Sequence, residues 1–125
     1  MIGFMRGVIE EDNNEQTTIR VNGIGYEVML PDDFVNPGDE MVVYMHHECR
    51  DDSEVLYGFN TVEIRNYFKK LLKIKGIGPS LALKIVGTIP LYVLKTLIEI
   101  QNVDPLVSIH GVGPKVANKI MKVKL

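Results

Sequence analysis

The sequence contains one short pattern twice, and this repeat restricts the possible folds more than any other feature. The stretches KGIGPSLALKIV, residues 75–86, and HGVGPKVANKIM, residues 110–121, match at a constant offset of 35 residues. Each places two glycines around one apolar residue, followed by a proline and then by apolar residues at helical spacing. Proline has no backbone N–H and a φ fixed near the helical value, so it suits a first helical turn. The repeat therefore predicts a duplicated helical hairpin.

The glycines of each copy allow a sharp turn, because glycine adopts left-handed or strained angles at no Cβ cost. One explanation is a tight connection between two packed helices, where glycine often ends the first helix. The other is that the turn leaves N–H groups free at a helix N-terminus, ready to bind an anion. A single copy does not decide between these explanations, whereas two copies among many lysines favour the second.

The charge of the chain is divided unequally between its halves. Residues 1–60 contain three basic and thirteen acidic residues, a net charge of −10, whereas residues 61–125 contain eleven basic and three acidic residues, a net charge of +8. Such asymmetry indicates a basic part that faces a polyanion, joined to an acidic part with another role. A chance division of surface charge is the weaker explanation for so large a difference.

The two halves also differ in periodicity. The acidic half alternates as β-strands do, in MIGFMRGVIEE, TTIRVNGIGYEVML, MVVYMHHE and EVLYGF, with a hairpin signal at Asn22-Gly23. Five short strands predict a small closed barrel, best matched by the oligonucleotide-binding (OB) fold. In the basic half, apolar residues three and four apart predict helices on both sides of each glycine turn. The predicted fold class is α+β, with an OB barrel over residues 1–60 followed by an all-α tandem helix-hairpin-helix domain over residues 61–125.

Several kinds of site are disfavoured. A dinucleotide-binding GxGxxG follows a strand and needs a third glycine, but Leu81 and Val116 occupy that position here. There is no GxxxxGK(S/T) motif, so a nucleotide-hydrolysing site is absent. Cys49, the only cysteine, is expected to be a small half-buried residue rather than a nucleophile, and the histidines form no metal spacing with it. We expect no catalytic residue, no metal and no cofactor.

The composition also indicates where the protein works. No apolar run approaches the ~20 residues of a membrane helix, and the N-terminus lacks a secretory pattern. A single cysteine excludes an internal disulfide and fits a reducing compartment. A cytoplasmic protein without a membrane partner is the expectation.

The paired turns have the chemistry of a DNA-backbone contact. Free N–H groups at a helix N-terminus attract phosphate oxygens, and lysines one turn further on neutralise their charge. Such contacts carry no base code, so binding is predicted by shape in any sequence, at two points of a duplex across the minor groove. A protein-docking helical domain is the alternative. The predicted DNA-binding residues are Lys75, Gly76, Ile77, Gly78, Ser80, Lys84, Gly111, Val112, Gly113, Lys115 and Lys119.

Four stretches resemble one family: MIGFMRGVI, VNGIGYEV, CRDDSEVLYGFN and FKKLLKIKGIGPSLALKI. Together with the repeated turns they are similar to the RuvA family, the Holliday-junction-binding subunits of the bacterial branch-migration complex. The resemblance implies a non-catalytic subunit that holds four-way DNA junctions open in recombination and repair. It also implies a homotetramer, or an octamer, and a RuvB-type ATPase motor as the partner of the full-length protein.

The resemblance assigns a further role to the acidic half. Asp51 and Asp52 match an acidic pin that projects to the centre of the tetramer in the family, whereas the residues alone favour a solvated hairpin tip. Ser80 stands where the family is often basic, so we expect the second hairpin, which keeps Lys115, to bind harder. The usual C-terminal domain that contacts the motor is expected to be absent from this chain.

Two alternatives to junction binding remain open at this point. One is a general DNA-binding module that uses the same turns without junction preference. The other is an enzyme, such as a glycosylase or nuclease, that uses the hairpins to hold DNA. An enzyme needs a catalytic carboxylate or lysine in a pocket close to the hairpins, and the sequence has no such constellation.

Overall fold

A computed structural model describes residues 1–11, 17–34 and 38–125. The chain divides into two compact units, Met1–Arg65 and Asn66–Leu125. The first unit contains the strands, and the second contains most of the helical residues.

The first unit is a five-stranded antiparallel sheet. Its neighbours lie in the order β3-β2-β1-β4-β5, so that β3 and β5 form the two edges. Buried residues alternate with more exposed ones along β1 and in the middle of β4, as in a sheet with one face on a core, whereas β5 ends in three consecutive buried residues, 57–59. The strands are β1 (Phe4–Glu11), β2 (Thr17–Val21), β3 (Ile24–Val28), β4 (Glu40–Arg50) and β5 (Ser53–Phe59). Buried core residues include Met5, Ile9, Ile19, Val28, Val43 and Met45.

The sheet curls until its edges meet just beyond the end of β3. The Met29 N–H donates to the Leu56 carbonyl at 2.8 Å, and the Gly58 N–H donates to the Met29 carbonyl at 2.9 Å. This parallel bridge completes the ring order β1-β2-β3-β5-β4 and partly removes the exposed sheet edges. The predicted five-stranded OB barrel and the α+β fold class are confirmed.

The hairpin predicted at Asn22-Gly23 is present between β2 and β3. Asn22 has φ 49° and Gly23 has φ 83°, the two positive angles that a tight two-residue hairpin turn needs. The register pairs Val21 with Ile24, which leaves only those two residues in the loop.

The helices follow the barrel and pack around an apolar core of their own. They are α1 (Val62–Leu72), α2 (Pro79–Thr88), α3 (Leu91–Ile100), α4 (Asp104–Val107) and α5 (Pro114–Ile120). Among the described residues, no single helix is long and apolar enough to cross a membrane; α2 and α3 pass that test only together, with an 84° bend between them. Fully buried side chains of this core include Tyr67, Phe68, Leu71, Ile85, Leu94, Leu106 and Ile120.

Candidate functional site

The two repeated stretches form two hairpins with the same internal hydrogen bonds. In the first, between α1 and α2, the Ile77 N–H donates to the Ile74 carbonyl at 3.1 Å. In the second, between α4 and α5, the Val112 N–H donates to the Ile109 carbonyl at 3.0 Å. The side chains of Ile77 and Val112 are buried, so these two predicted site residues hold the hairpins in shape.

The first glycine of each hairpin is required by the fold. Gly76 has φ +102° and Gly111 has φ +98°, angles that side-chain-bearing residues rarely adopt. A Cβ on Gly76 would lie 3.3 Å from Val116 Cγ2, and a Cβ on Gly111 would lie 3.3 Å from Leu81 Cδ1. Each turn therefore packs tightly on the helix that follows the other turn.

The second glycine of each hairpin has no such requirement. Gly78 (φ −91°, ψ 176°) and Gly113 (φ −84°, ψ 172°) are in ordinary extended conformation. A Cβ on either would meet no described atom within 4 Å. Both are exposed and precede a proline, and neither α2 nor α5 has a side-chain N-cap. Neither a positive φ nor a close contact requires glycine at these two positions, although glycine is a favourable N-cap residue.

Two lysines join the hairpins reciprocally. The Lys84 ammonium donates to the His110 carbonyl at 3.2 Å, and the Lys119 ammonium donates to the Lys75 carbonyl at 3.4 Å. Lys84 and Lys119 are equivalent in the repeat, as are Lys75 and His110, so each copy contacts the other in the same way. Reciprocal contacts of this kind indicate an approximate two-fold relation between the hairpins. An ammonium has three donors, so each lysine keeps donors for a further acceptor.

We expect Lys119→Ala to loosen the first hairpin, although Lys119 lies in the second copy. Losing the bond to the Lys75 carbonyl removes about 1 kcal/mol of local stabilisation. Amide hydrogen exchange at Ile77 should rise a few-fold while exchange in the barrel stays unchanged. Lys115→Ala is the matched control, because the Lys115 side chain is exposed and forms no hydrogen bond with a described residue. Equal exchange at Ile77 in both variants would contradict the cross-contact.

The remaining predicted residues of the hairpins lie at the surface. Lys75, Ser80 and Lys115 are exposed, and Lys115 follows Pro114 at the start of α5. The hairpins thus expose the second glycines beside lysine side chains. This combination offers backbone N–H groups and positive charge to an anion.

The predicted acidic pin residues lie elsewhere, at the turn of the β4–β5 hairpin. Pairing of Arg50 with Ser53 closes the turn, so Asp51 and Asp52 form its tip. Both side chains are exposed, and neither forms an ion pair with any residue that the structure describes. Their negative charge is therefore fully available to whatever faces the tip.

At the base of the same hairpin, three side chains lie close together whose proximity the sequence does not predict. His47, Cys49 and Glu54 offer donor atoms that all lie within 4.8 Å of one another. Cys49 is exposed, so the expectation of a half-buried cysteine is wrong; β4 extends beyond the barrel core at this point. Desolvation and then the neighbouring Glu54 carboxylate raise the pKa of the Cys49 thiol. The sequence does contain a signal for part of this group: residues two apart on a strand lie on the same face, which places His47 beside Cys49.

Comparison with known proteins adds two family matches. Residues 1–58 match the family model described as RuvA N terminal domain. Residues 68–123 match the family described as SAM-like helix-hairpin-helix tandem.

Curated relatives match across both parts of the chain. The Holliday junction branch migration complex subunit RuvA of Vibrio parahaemolyticus is 38% identical, over 97% of this chain and 61% of that protein. The protein of the same name from Shigella flexneri is also 38% identical, over 97% of this chain and 62% of its own length. One from Vibrio cholerae is 37% identical, over 97% of this chain and 61% of that protein. The chain thus spans about three fifths of the length of these relatives.

Proposed function

The chain belongs to the RuvA family, and from this membership we propose that it binds four-way DNA junctions by their structure rather than by sequence. Its relatives are named as subunits of a Holliday junction branch migration complex. The proposed role is to hold the junction open in recombination and DNA repair, in the cytoplasm. The chain acts as a non-catalytic subunit, and a RuvB-type partner hydrolyses ATP.

The observation that carries the proposal is the pair of second glycines. Gly78 and Gly113 are exposed, have ordinary angles and would have open space around a Cβ. Their occurrence at equivalent positions of two hairpins fits a partner that approaches the backbone closely at both. A phosphate group is such a partner, because it accepts hydrogen bonds from main-chain N–H groups and interacts favourably with nearby lysines.

The two-fold relation of the hairpins supports a duplex as the ligand. A DNA duplex has local two-fold axes that exchange its antiparallel strands, so two equivalent hairpins can bind one strand each. Lys84 and Lys119 each join one hairpin to the other, through the His110 and Lys75 carbonyls. The proposed DNA contacts of both hairpins go to the sugar–phosphate backbone, so the binding has no base preference.

Junction preference needs a feature beyond the hairpins, and we assign it to Asp51 and Asp52. In a homotetramer, the proposed assembly, the acidic tips of the subunits converge where the DNA strands cross. Negative charge beside phosphates costs binding energy, so the tips keep strands apart at an open crossover and oppose a continuous duplex. The chain spans about three fifths of the length of its relatives, and contact with a RuvB-type motor is therefore only proposed.

The test is a gel-shift comparison of a four-way junction with a linear duplex of equal length and base composition. We expect at least about tenfold tighter binding to the junction, unchanged when the arm sequences are scrambled. Light scattering on the same samples should give a tetramer or an octamer on the junction. Equal affinity for both DNAs would favour a general DNA-binding module, and sequence-dependent affinity would contradict backbone recognition.

A further inference from the structure

The barrel carries a second candidate site, separate from the DNA-contacting hairpins, at the base of the β4–β5 hairpin. The Cys49 Sγ lies 3.4 Å from the His47 Nε2 and 3.7 Å from a Glu54 carboxylate oxygen. The His47 Nε2 lies 3.7 Å from the same Glu54 oxygen. The three donor atoms therefore form a nearly equilateral triangle.

The strand register explains why these three side chains meet. Val43 and Met45 point into the barrel core, and the same face of β4 continues through His47 and Cys49. Cys49 pairs directly with Glu54 on β5, which places their side chains on the same face. The inner face of the sheet is apolar in the core, but it changes to nitrogen, sulfur and oxygen donors where the core ends.

We propose that His47, Cys49 and Glu54 bind one divalent zinc-type cation, with solvent as the fourth ligand. This site is independent of the proposed DNA function. The Cys49 thiol releases its proton to solvent as the sulfur–metal bond forms, and the Glu54 carboxylate and the neutral His47 imidazole donate lone pairs without further change.

The geometry fits a tetrahedral ion without large movement. Zinc–ligand bonds of ~2.0–2.3 Å at tetrahedral angles separate the ligand atoms by ~3.3–3.6 Å. The three separations here, 3.4, 3.7 and 3.7 Å, are close to those edges. A thiolate with an imidazole and a carboxylate favours zinc over the hard ions magnesium and calcium, which prefer all-oxygen sites.

The surroundings leave His47 Nε2 available and leave room for a fourth ligand. The Nε2 atom of His47 faces Cys49 and Glu54, at 3.4 and 3.7 Å. The Nδ1 atom is buried and has no hydrogen-bond partner among the described residues. His47 and Glu54 also line a cavity of about 410 Å³ in the barrel unit. A bound ion would add a side-chain link between the paired strands β4 and β5, next to the Asp51–Asp52 turn.

The experiment uses tag-free, reduced, chelator-treated protein, with Co²⁺ as the spectroscopic probe and Zn²⁺ as the competitor. We expect one Co²⁺ per chain, with the strong visible bands of tetrahedral cobalt and a near-ultraviolet thiolate-to-cobalt charge-transfer band. Zn²⁺ should displace the cobalt. Cys49→Ser should remove the charge-transfer band, and Cys49→Ser, His47→Gln and Glu54→Gln should each weaken binding at least about tenfold.

The matched control is His46→Gln, because His46 lies on the opposite face of β4 and contacts Glu48 at 2.6 Å. It should bind cobalt as the parent does. Zn²⁺ should raise the Tm of the parent and of His46→Gln but not that of Cys49→Ser. A cooperative thermal transition in each variant shows that the variant folds, and a Tm raised by Zn²⁺ shows that the native state binds the ion. Cobalt binding without the thiolate band, an equal loss in His46→Gln, or no binding by the folded parent would each overturn the proposal.

Discussion

A Gly78→Val/Gly113→Val variant is expected to bind junction DNA at least about 100-fold more weakly than the parent while remaining folded. Both glycines have extended angles that valine adopts readily, and a Cβ at either would meet no described atom within 4 Å. Replacing glycine at these N-cap positions costs the fold about 1 kcal/mol each. The added side chains instead occupy the space that a phosphate needs. Loss of one charged hydrogen bond per hairpin, about 1.5–3 kcal/mol each, accounts for the affinity change.

Gly111→Ala is the contrasting variant. With φ +98° and Leu81 at 3.3 Å, an alanine there is strained in the native turn and costs about 1–3 kcal/mol of stability. The two variants should therefore differ in the loss of DNA affinity relative to the loss of stability in urea: this ratio should be large for Gly78→Val/Gly113→Val and small for Gly111→Ala. If the Gly78→Val/Gly113→Val variant instead loses stability in proportion to its affinity, the second glycines are structural and the proposed contact is wrong.

This contrast shows what the repeated pattern alone could predict. The two GxG turns, their prolines and the helices after them follow from residue types at fixed spacing, and the structure contains all of them. The sequence did not separate the roles of Gly76 and Gly78, because both are simply glycine. The difference lies in φ and in the distance to Val116, which depend on how the two copies pack.

Other features depend on contacts between residues that are far apart in the chain, so the sequence does not predict them. Lys84 and Lys119 were predicted as phosphate contacts, but their bonds to carbonyls of the opposite hairpin appear only once the copies face each other. A closed barrel follows from the five short strands, but the position of closure, at Met29, depends on how the whole sheet curls. Alternation of apolar and polar residues predicts the strands, and the Asn22-Gly23 dipeptide predicts the turn between β2 and β3. Both signals depend only on neighbouring residues.

Asp51→Asn/Asp52→Asn is expected to tighten DNA binding and to reduce the preference for a junction over a linear duplex. Both aspartates are exposed at a turn and make no ion pair with a described residue, so the change should leave the fold intact. If the turn is only a solvated tip, the lost charge acts weakly over long range and equally on both DNAs. If the tips converge on the crossover, they oppose a continuous duplex more than an open junction. Discrimination depends on the difference between the two affinities, so it falls when that repulsion is removed.

The measurement is the affinity of parent and variant for both DNAs across a salt series. We expect duplex affinity to rise more than junction affinity, most clearly at low salt, where a Debye length of ~30 Å at 0.01 M leaves the repulsion unscreened. Glu63→Gln/Glu99→Gln is the control, because it also removes two exposed negative charges, but from α1 and α3 rather than from the β4–β5 turn. It should strengthen binding to both DNAs by a similar factor. If the ratio of junction affinity to duplex affinity stays at the parent value at every salt concentration, Asp51 and Asp52 do not act as a pin. The hairpins would then still bind DNA, but the source of any junction preference would lie elsewhere.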